Sequence, residues 1–344
     1  MKQKLLIIGD SAPSKNSETS SFDKIVTHPA LRKIDAKITN YSTVTDGEMP
    51  YIKGHCHILL LFPYSHWSQH IERDEDGILY GDERYGMLFD SYMDRVDDII
   101  KTKYGNFTYI NPPTSIKTDR DKKMTKTMLK NHGISVPDEW CIQSPEDNLK
   151  MLCMEIKAGK SFYIKPRFGA MGKGITYLSK RKIISNYKNG KGFRSGFDYG
   201  WLFQKIGKKS HLLKQILQSN PVIEEEIKTP LIKNRKFDLR IYVIYGRIPY
   251  IYARTASARK PITNWSQGGK IEKRSFLKHI PVAGLKKAKK IARESAKILG
   301  LNFCGVDIIF DEKWNFYVLE VQSMPSWESG HDLFGTLINK LSKK

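Results

Sequence analysis

Residues 305–310 and 316–321 read Gly-Val-Asp-Ile-Ile-Phe and Phe-Tyr-Val-Leu-Glu-Val, two mainly apolar runs joined by a short polar stretch. That arrangement predicts an antiparallel hairpin. With residues 312–315 as a four-residue loop, Asp307 falls directly opposite Glu320, and directly opposite residues share a face. Gln322 joins that face by the two-residue period of a strand, while Val306, Ile308, Leu319 and Val321 suit the buried side. Two carboxylates side by side repel unless a cation lies between them. Oxygen ligands at this spacing suit magnesium, which keeps several waters and bridges phosphates. A solvated hairpin with a polar outer face is the plainer alternative.

A second hairpin is expected from residues 238–245 and 248–254, which flank Gly246-Arg247. Within it, Asp238 and Arg240 alternate with Phe237, Leu239 and Ile241, so both acid and base point to one side. Arginine stays charged and can brace developing negative charge. Arg254 lies on the partner strand, and the sequence leaves its register open.

Residues 161–166 read as a strand ending in Lys165, followed by a flexible stretch with Gly169, Gly172, Lys173 and Gly174. Glycines let backbone N–H groups approach phosphate oxygens closely. No Gly-Lys-Ser/Thr follows, so this is not a Walker A loop, and the spacing is not that of the dinucleotide fingerprint. A glycine-rich turn explains the stretch equally well when it is taken alone.

A chain of 344 residues with 40% hydrophobic content fits two or three packed units. The longest apolar run, 58–62, is far too short for a membrane span, and the N-terminus lacks the pattern of a signal peptide. The four cysteines show no paired spacing, so a disulfide framework or zinc site is not expected and a reducing cytoplasm is. The 58 basic and 36 acidic residues leave a net charge of +22, a field that draws anions. Without an RNA-recognition or zinc-finger signature, nucleic acid is a disfavoured partner. Three regions are expected: a small α/β unit over 1–115, a middle unit over 116–220, and a C-terminal unit over 221–344. A long loop is expected over 68–85, a helix capped by Thr118 and stopped at Gly133, strand structure at 222–227, and a helix over 286–299 ending at Gly300. Residues 181–220 are basic and read as irregular or partly helical.

Taken in order, these pieces resemble the ATP-grasp superfamily, and within it the RimK-like amino-acid ligases, which include glutamate ligases. Arg120-Asp121-Lys122 and the helix ending at Asn131-His132-Gly133 resemble the site of the first nucleotide lysine, Lys122, and Lys165 resembles the second. Residues 169–174 resemble the phosphate-covering loop, and Glu224-Glu225-Glu226 the inter-domain strand that contacts adenine. Asp238 matches the ribose-binding acid and Arg240 the catalytic arginine; Asn264 matches a residue near the phosphates and metal; Asp307, Glu320 and Gln322 match the metal triad. Met324-Pro325-Ser326-Trp327 resembles the turn that follows. The resemblance spans about residues 115–330, while the first 115 match only in outline. It departs from the family at Gln322, where Asn is usual, and at Gln267, where many relatives carry a basic residue.

The resemblance implies an α/β protein with the ATP-grasp fold, in which ATP is held between two α+β halves with Mg2+ or Mn2+. It implies a carboxylate–amine ligase that works through an acyl-phosphate, with Arg240, and less securely Arg254, bracing the reaction centre. The partners implied are a small carboxylate and an amine such as an amino acid, acidic or peptidic in character, and a homo-oligomer is compatible with this. Arg181, Lys182, Lys188, Lys191, Arg194, Lys205, Lys208 and Lys209 form either an acceptor-facing surface or a solvated basic insertion. Competing readings are a catalytically inactive nucleotide- or polyanion-binding protein and a kinase.

Overall fold

The structure, a computed structural model, describes residues 2–11, 21–72, 79–140, 144–187, 201–208, 210–325 and 331–343. Three sheets organise it. The first is built from β1 (Lys4–Ile8), β2 (Asp35–Thr39), β3 (Cys56–Leu60) and β4 (Phe107–Tyr109), all parallel in the order β2-β1-β3-β4. Its two faces follow the strand period of two. Leu6, Ile8, Ile58 and Leu60 pack toward Met93, Val96 and Ile100 of the helix Glu83–Lys103. Leu5, Ile7, Leu59 and Leu61 pack toward Tyr242, Phe303 and Leu337 in the C-terminal part of the chain. Both faces are covered, as parallel sheets require, and each such side chain contributes roughly 1.5–3 kcal/mol by burial.

The second sheet is antiparallel: β5 (Phe162–Lys165), β6 (Thr176–Leu178), β7 (Ile183–Ser185), β8 (Gln204–Lys205) and β9 (Val222–Glu225), in the order β8-β7-β6-β5-β9. The strand β9 thus belongs to the middle sheet, although it lies beyond residue 220. The third sheet contains β10 (Arg235–Ile244), β11 (Ile251–Ser257), β12 (Lys270–Ile271), β13 (Phe303–Phe310) and β14 (Phe316–Gln322), in the order β12-β11-β10-β13-β14. Leu239, Ile241, Val306 and Ile308 cover one face with Ala288, Ile291 and Ala292 of the helix Val282–Ile298. The opposite face carries Asp238, Arg240 and Asp307.

Several local expectations change. The helix Lys122–Asn131 is capped by Asp121, whose carboxylate accepts from Lys123 N and Met124 N; Thr118 lies inside the preceding helix Pro113–Arg120. The stretch expected as a loop over 68–85 holds a π-helical turn, Trp67–Ile71, and the start of the helix Glu83–Lys103; its residues 73–78 lie outside the described residues. The β10–β11 turn is Tyr245-Gly246, one residue earlier than expected, because a tight hairpin turn needs positive φ at both central positions, here 46° and 71°. The 181–220 segment contains β7, β8 and the helix His211–Gln218. Lys188, Lys191, Arg194 and Lys209 lie outside the described residues, as do Ser326 and Trp327.

The β13–β14 hairpin pairs Asp307 with Glu320, but by another route than a four-residue loop. Phe310 pairs with Phe316, so five residues form the turn, closed by Asp311 N to Asn315 O at 2.9 Å. A bulge after Asp307 then restores the pairing, because Ile308 faces Val318 while Asp307 faces Glu320. The extra residue is Leu319, which is turned to the cleft instead of the buried face expected for it.

Candidate active site

A cleft of about 390 Å³ opens between the second and third sheets. Lys122, Lys165, Gly169, Gly172, Lys173, Glu224, Glu225, Glu226, Asp238, Arg254, Asn264, Asp307 and Glu320 all contribute to its wall. Arg240, Gln322 and Gly174 do not.

The wall on the middle sheet is organised by one acid. Glu224 is buried, and its carboxylate lies 2.5 Å from Lys165 Nζ and pairs with Lys126 Nζ. Tyr163 sits directly opposite Glu224 in the β5–β9 ladder, so Lys165, two residues on, projects from the same face. Burial pushes the Glu224 carboxyl up, yet Lys126 and Lys165 outweigh it and hold the group down to about 2. Lys122 precedes Lys126 by one helical turn and shares its face. Its ammonium meets Gly169 O and lies 3.4 Å from Glu320 Oε1. Burial lowers the Lys122 pKa, against the pull of Glu320. Glu225 pairs with Lys160 at 3.3 Å, and Glu226 accepts from Tyr177 Oη at 2.8 Å.

The glycine-rich loop is docked across the cleft. Met171 O accepts from Ser266 Oγ at 2.7 Å and Gln267 Nε2 at 3.2 Å, so Gln267 reaches the loop backbone. Gly172 has φ +68°, and a Cβ there would lie 3.0 Å from Ile262 and 3.2 Å from Asn264. Gly169 and Gly174 abut Pro166. The Lys173 ammonium is buried 2.8 Å from Glu72 Oε1, beside the rings of Tyr80 and Trp201.

On the third sheet, charges form a continuous chain. Arg254 faces Asp238 in the β10–β11 ladder and grips it at 2.8 Å through both Nε and Nη2. Thr263 Oγ1 donates to the same carboxylate at 2.6 Å. Arg254 Nη2 also lies 2.9 Å from Asp307 Oδ2. Arg240 faces Asp307 in the β10–β13 ladder. Its Nε lies 2.6 Å from Oδ1 without pointing along the contact; the directed bond is Nη2 to Oδ2 at 3.2 Å. Arg240 Nη1 donates to Gln322 Oε1 at 2.8 Å, and Gln322 Nε2 donates to Glu320 Oε2 at 2.9 Å. Asp307, Glu320 and Gln322 are thus brought together by the hairpin. Among the described residues no group of three His, Cys, Asp or Glu gathers as a metal site; Gln322 brings an amide to the Asp307–Glu320 pair.

Sequence reasoning missed Lys126, Thr263 and Lys236. Lys126 carried a signal, because it follows Lys122 at helical spacing. Lys236 carried none: burial pulls its pKa down to about 8, and its ammonium donates to Pro261 O at 2.6 Å, contacts set by distant loops.

Among curated relatives, a probable alpha-L-glutamate ligase of Parasynechococcus marenigrum (strain WH8102) is 27% identical over 240 residues, covering 68% of this chain and 43% of that protein. A tetrahydromethanopterin:alpha-L-glutamate ligase of Methanosarcina acetivorans is 25% identical over 240 residues, covering 69% and 64%. The chain thus spans about half the length of the curated relatives it matches. Among solved structures, the ATP-grasp ligase PsnB complexed with a minimal precursor aligns over 99% of both chains with a TM-score of 0.57 at 15% identity. That likeness shows the ATP-grasp fold, with its several α/β subdomains. Residues 109–338 match the family described as YheC/D like ATP-grasp, and the chain belongs to that family.

Proposed function

We propose that this protein is an ATP-dependent carboxylate–amine ligase that forms an amide bond through an acyl-phosphate. The observation that carries the reading is the cleft itself, where Lys122, Lys165, the docked glycine loop, Asn264, Asp307 and Glu320 meet in one wall-to-wall arrangement. Relatives named as glutamate ligases support an amino acid as one substrate.

The residues fit a divalent cation. Asp307, Glu320 and Gln322 offer oxygen donors, and Asp307 Oδ1 is buried without an aligned hydrogen-bond donor. Bound there, Mg2+ or Mn2+ would neutralise phosphate charge during transfer. Lys122 and Lys165 supply positive charge to the nucleotide phosphates, and the backbone of residues 169–174 excludes water above them. Glu225 and Glu226 would hold the adenine and Asp238 the ribose. The γ-phosphoryl passes to a carboxylate oxygen, ADP leaves, the amine nitrogen attacks the acyl carbon, and phosphate departs. Arg240 stabilises charge at that centre through its hold on Asp307 and Gln322, with Arg254 bracing the same carboxylate.

A second reading is a nucleotide-binding protein without turnover, favoured by one observation: Asp307 is already gripped by both arginines, and the Gln322 amide oxygen is taken by Arg240. Phosphate release from ATP and Mg2+, with pools of carboxylates and amines supplied together and separately, decides between them. Release that requires one acid and one amine, with a new amide seen by mass spectrometry, establishes the ligase. Nucleotide binding without release from any pool favours the second reading.

A further inference from the structure

Arg120 ends the helix Pro113–Arg120, two residues before Lys122. Its guanidinium stands over the ring of Trp67 at 4.4 Å, with Phe62 at 5.5 Å and Phe89 at 5.8 Å. Arg120 Nε is buried and has no hydrogen-bond partner, and no described carboxylate forms an ion pair with the side chain. Stacking uses the face of a guanidinium and leaves its five edge donors free. A buried donor without a partner is uncommon and calls for an explanation, of which a bound acceptor group is one.

The position narrows what that is. Arg120 is not part of the nucleotide cleft wall, although Lys122 is. The flanking Asp119 carboxylate accepts from Ser323 N at 2.7 Å, fixing this helix end to the residue after Gln322. Phe62 follows β3, at the carboxyl end of the parallel sheet, where ligands of open α/β sheets bind. Arg120 therefore lies beside that sheet end, next to the Asp119–Ser323 contact that adjoins Gln322, and outside the cleft wall that Lys122 lines.

We propose that Arg120 anchors a substrate carboxylate other than the one that is phosphorylated, held edge-on by the guanidinium fork between aromatic walls. The proposal rests on the ligase reading for its role, but its test uses no ATP. Two sources share this chemistry: a second carboxylate on the acid substrate, or the α-carboxylate of an amino-acid amine. Protein carrying 15N-labelled arginine side chains, with the Arg120 signal assigned by R120K, is titrated with glutarate, L-alanine and ethylamine. We expect saturable shifts of the Arg120 Nε–H signal with glutarate or L-alanine and none with ethylamine. Glutarate alone identifies the acid substrate as the source; L-alanine identifies the amine. R120M should bind the active probe roughly ten- to a hundredfold more weakly, and R120K in between, because lysine keeps the charge and loses the fork. No shift with either carboxylate, an equal shift with ethylamine, or unchanged binding by R120M overturns the proposal. The wild-type titration stands even if R120M does not fold. Failure of phosphate release with intact carboxylate binding sinks the ligase reading alone.

Discussion

Arg254 holds Asp238 from directly across the β10–β11 ladder, through two parallel 2.8 Å contacts, while one of the same nitrogens lies 2.9 Å from Asp307. One buried guanidinium therefore ties together two carboxylates expected to serve different parts of the nucleotide. Removing it strands Asp238 with only Thr263 as a partner and leaves Asp307 to Arg240 alone. R254M should cost about 3–5 kcal/mol of stability, the usual range for breaking a buried pair. R254K should cost less but still lose the fork geometry. Urea unfolding of nucleotide-free protein measures both. A loss below about 1 kcal/mol in R254M would mean that Asp238 and Asp307 are already satisfied without it.

Glu224 makes stability depend on acid. Its carboxyl falls from the ordinary 4.5 to about 2 in the folded protein, burial raising it and Lys126 and Lys165 lowering it further. A depressed carboxyl contributes stability that is present above the unfolded value and lost as pH falls toward the folded one. The wild type should therefore lose stability from about pH 5 downward, by up to about 3 kcal/mol from this group alone. E224Q should be less stable at neutral pH, because two buried lysines lose their partner, and flatter in acid. Urea midpoints across the acid range check the slope; parallel curves for both proteins would place the acid sensitivity elsewhere.

The docked loop should open when its clasp is loosened. Ser266 and Gln267 both donate to Met171 O, and Gly172 has the left-handed φ of +68°. S266A should cost about 0.5–1.5 kcal/mol of docking. G172A should cost more, because its Cβ meets Ile262 and the backbone becomes strained by about 1–2 kcal/mol. Hydrogen exchange of residues 169–174 should quicken in both, most in G172A, with nucleotide affinity falling in the same order. Unchanged exchange would mean that the loop is held by other contacts.

The parts of this site legible in the sequence are those fixed by short-range periodicity. A four-residue loop over 312–315 sets Asp307 opposite Glu320, and the structure pairs them only because a five-residue turn and a bulge at Leu319 offset each other. Asp238 and Arg240 share a face by strand alternation. The helix Glu83–Lys103 was not legible, because charged residues punctuate its apolar stripe and a polar, glycine-containing segment precedes it. The Arg254 register waited on the Tyr245-Gly246 turn. Contacts such as Lys126 with Glu224 or Arg120 with Trp67 join residues far apart in the chain, and no window of sequence displays them.

Lys173 illustrates the same limit and yields the sharpest test. A lysine within a glycine-rich loop reads as a phosphate ligand, but here its ammonium is buried against Glu72 at 2.8 Å, with Tyr80 and Trp201 as neighbours. Glu72 also accepts from Trp67 Nε1 at 2.5 Å, so the loop is tied to the N-terminal unit through this acid. If the pair is structural, K173M should destabilise nucleotide-free protein by about 3–5 kcal/mol, because Glu72 keeps a buried charge without its partner. The double variant E72Q/K173M should recover part of that loss, because the stranded charge is gone. A double-mutant cycle on urea midpoints measures the coupling. Were Lys173 instead a phosphate ligand, K173M would weaken nucleotide binding, leave the free protein's stability intact, and show no coupling to Glu72.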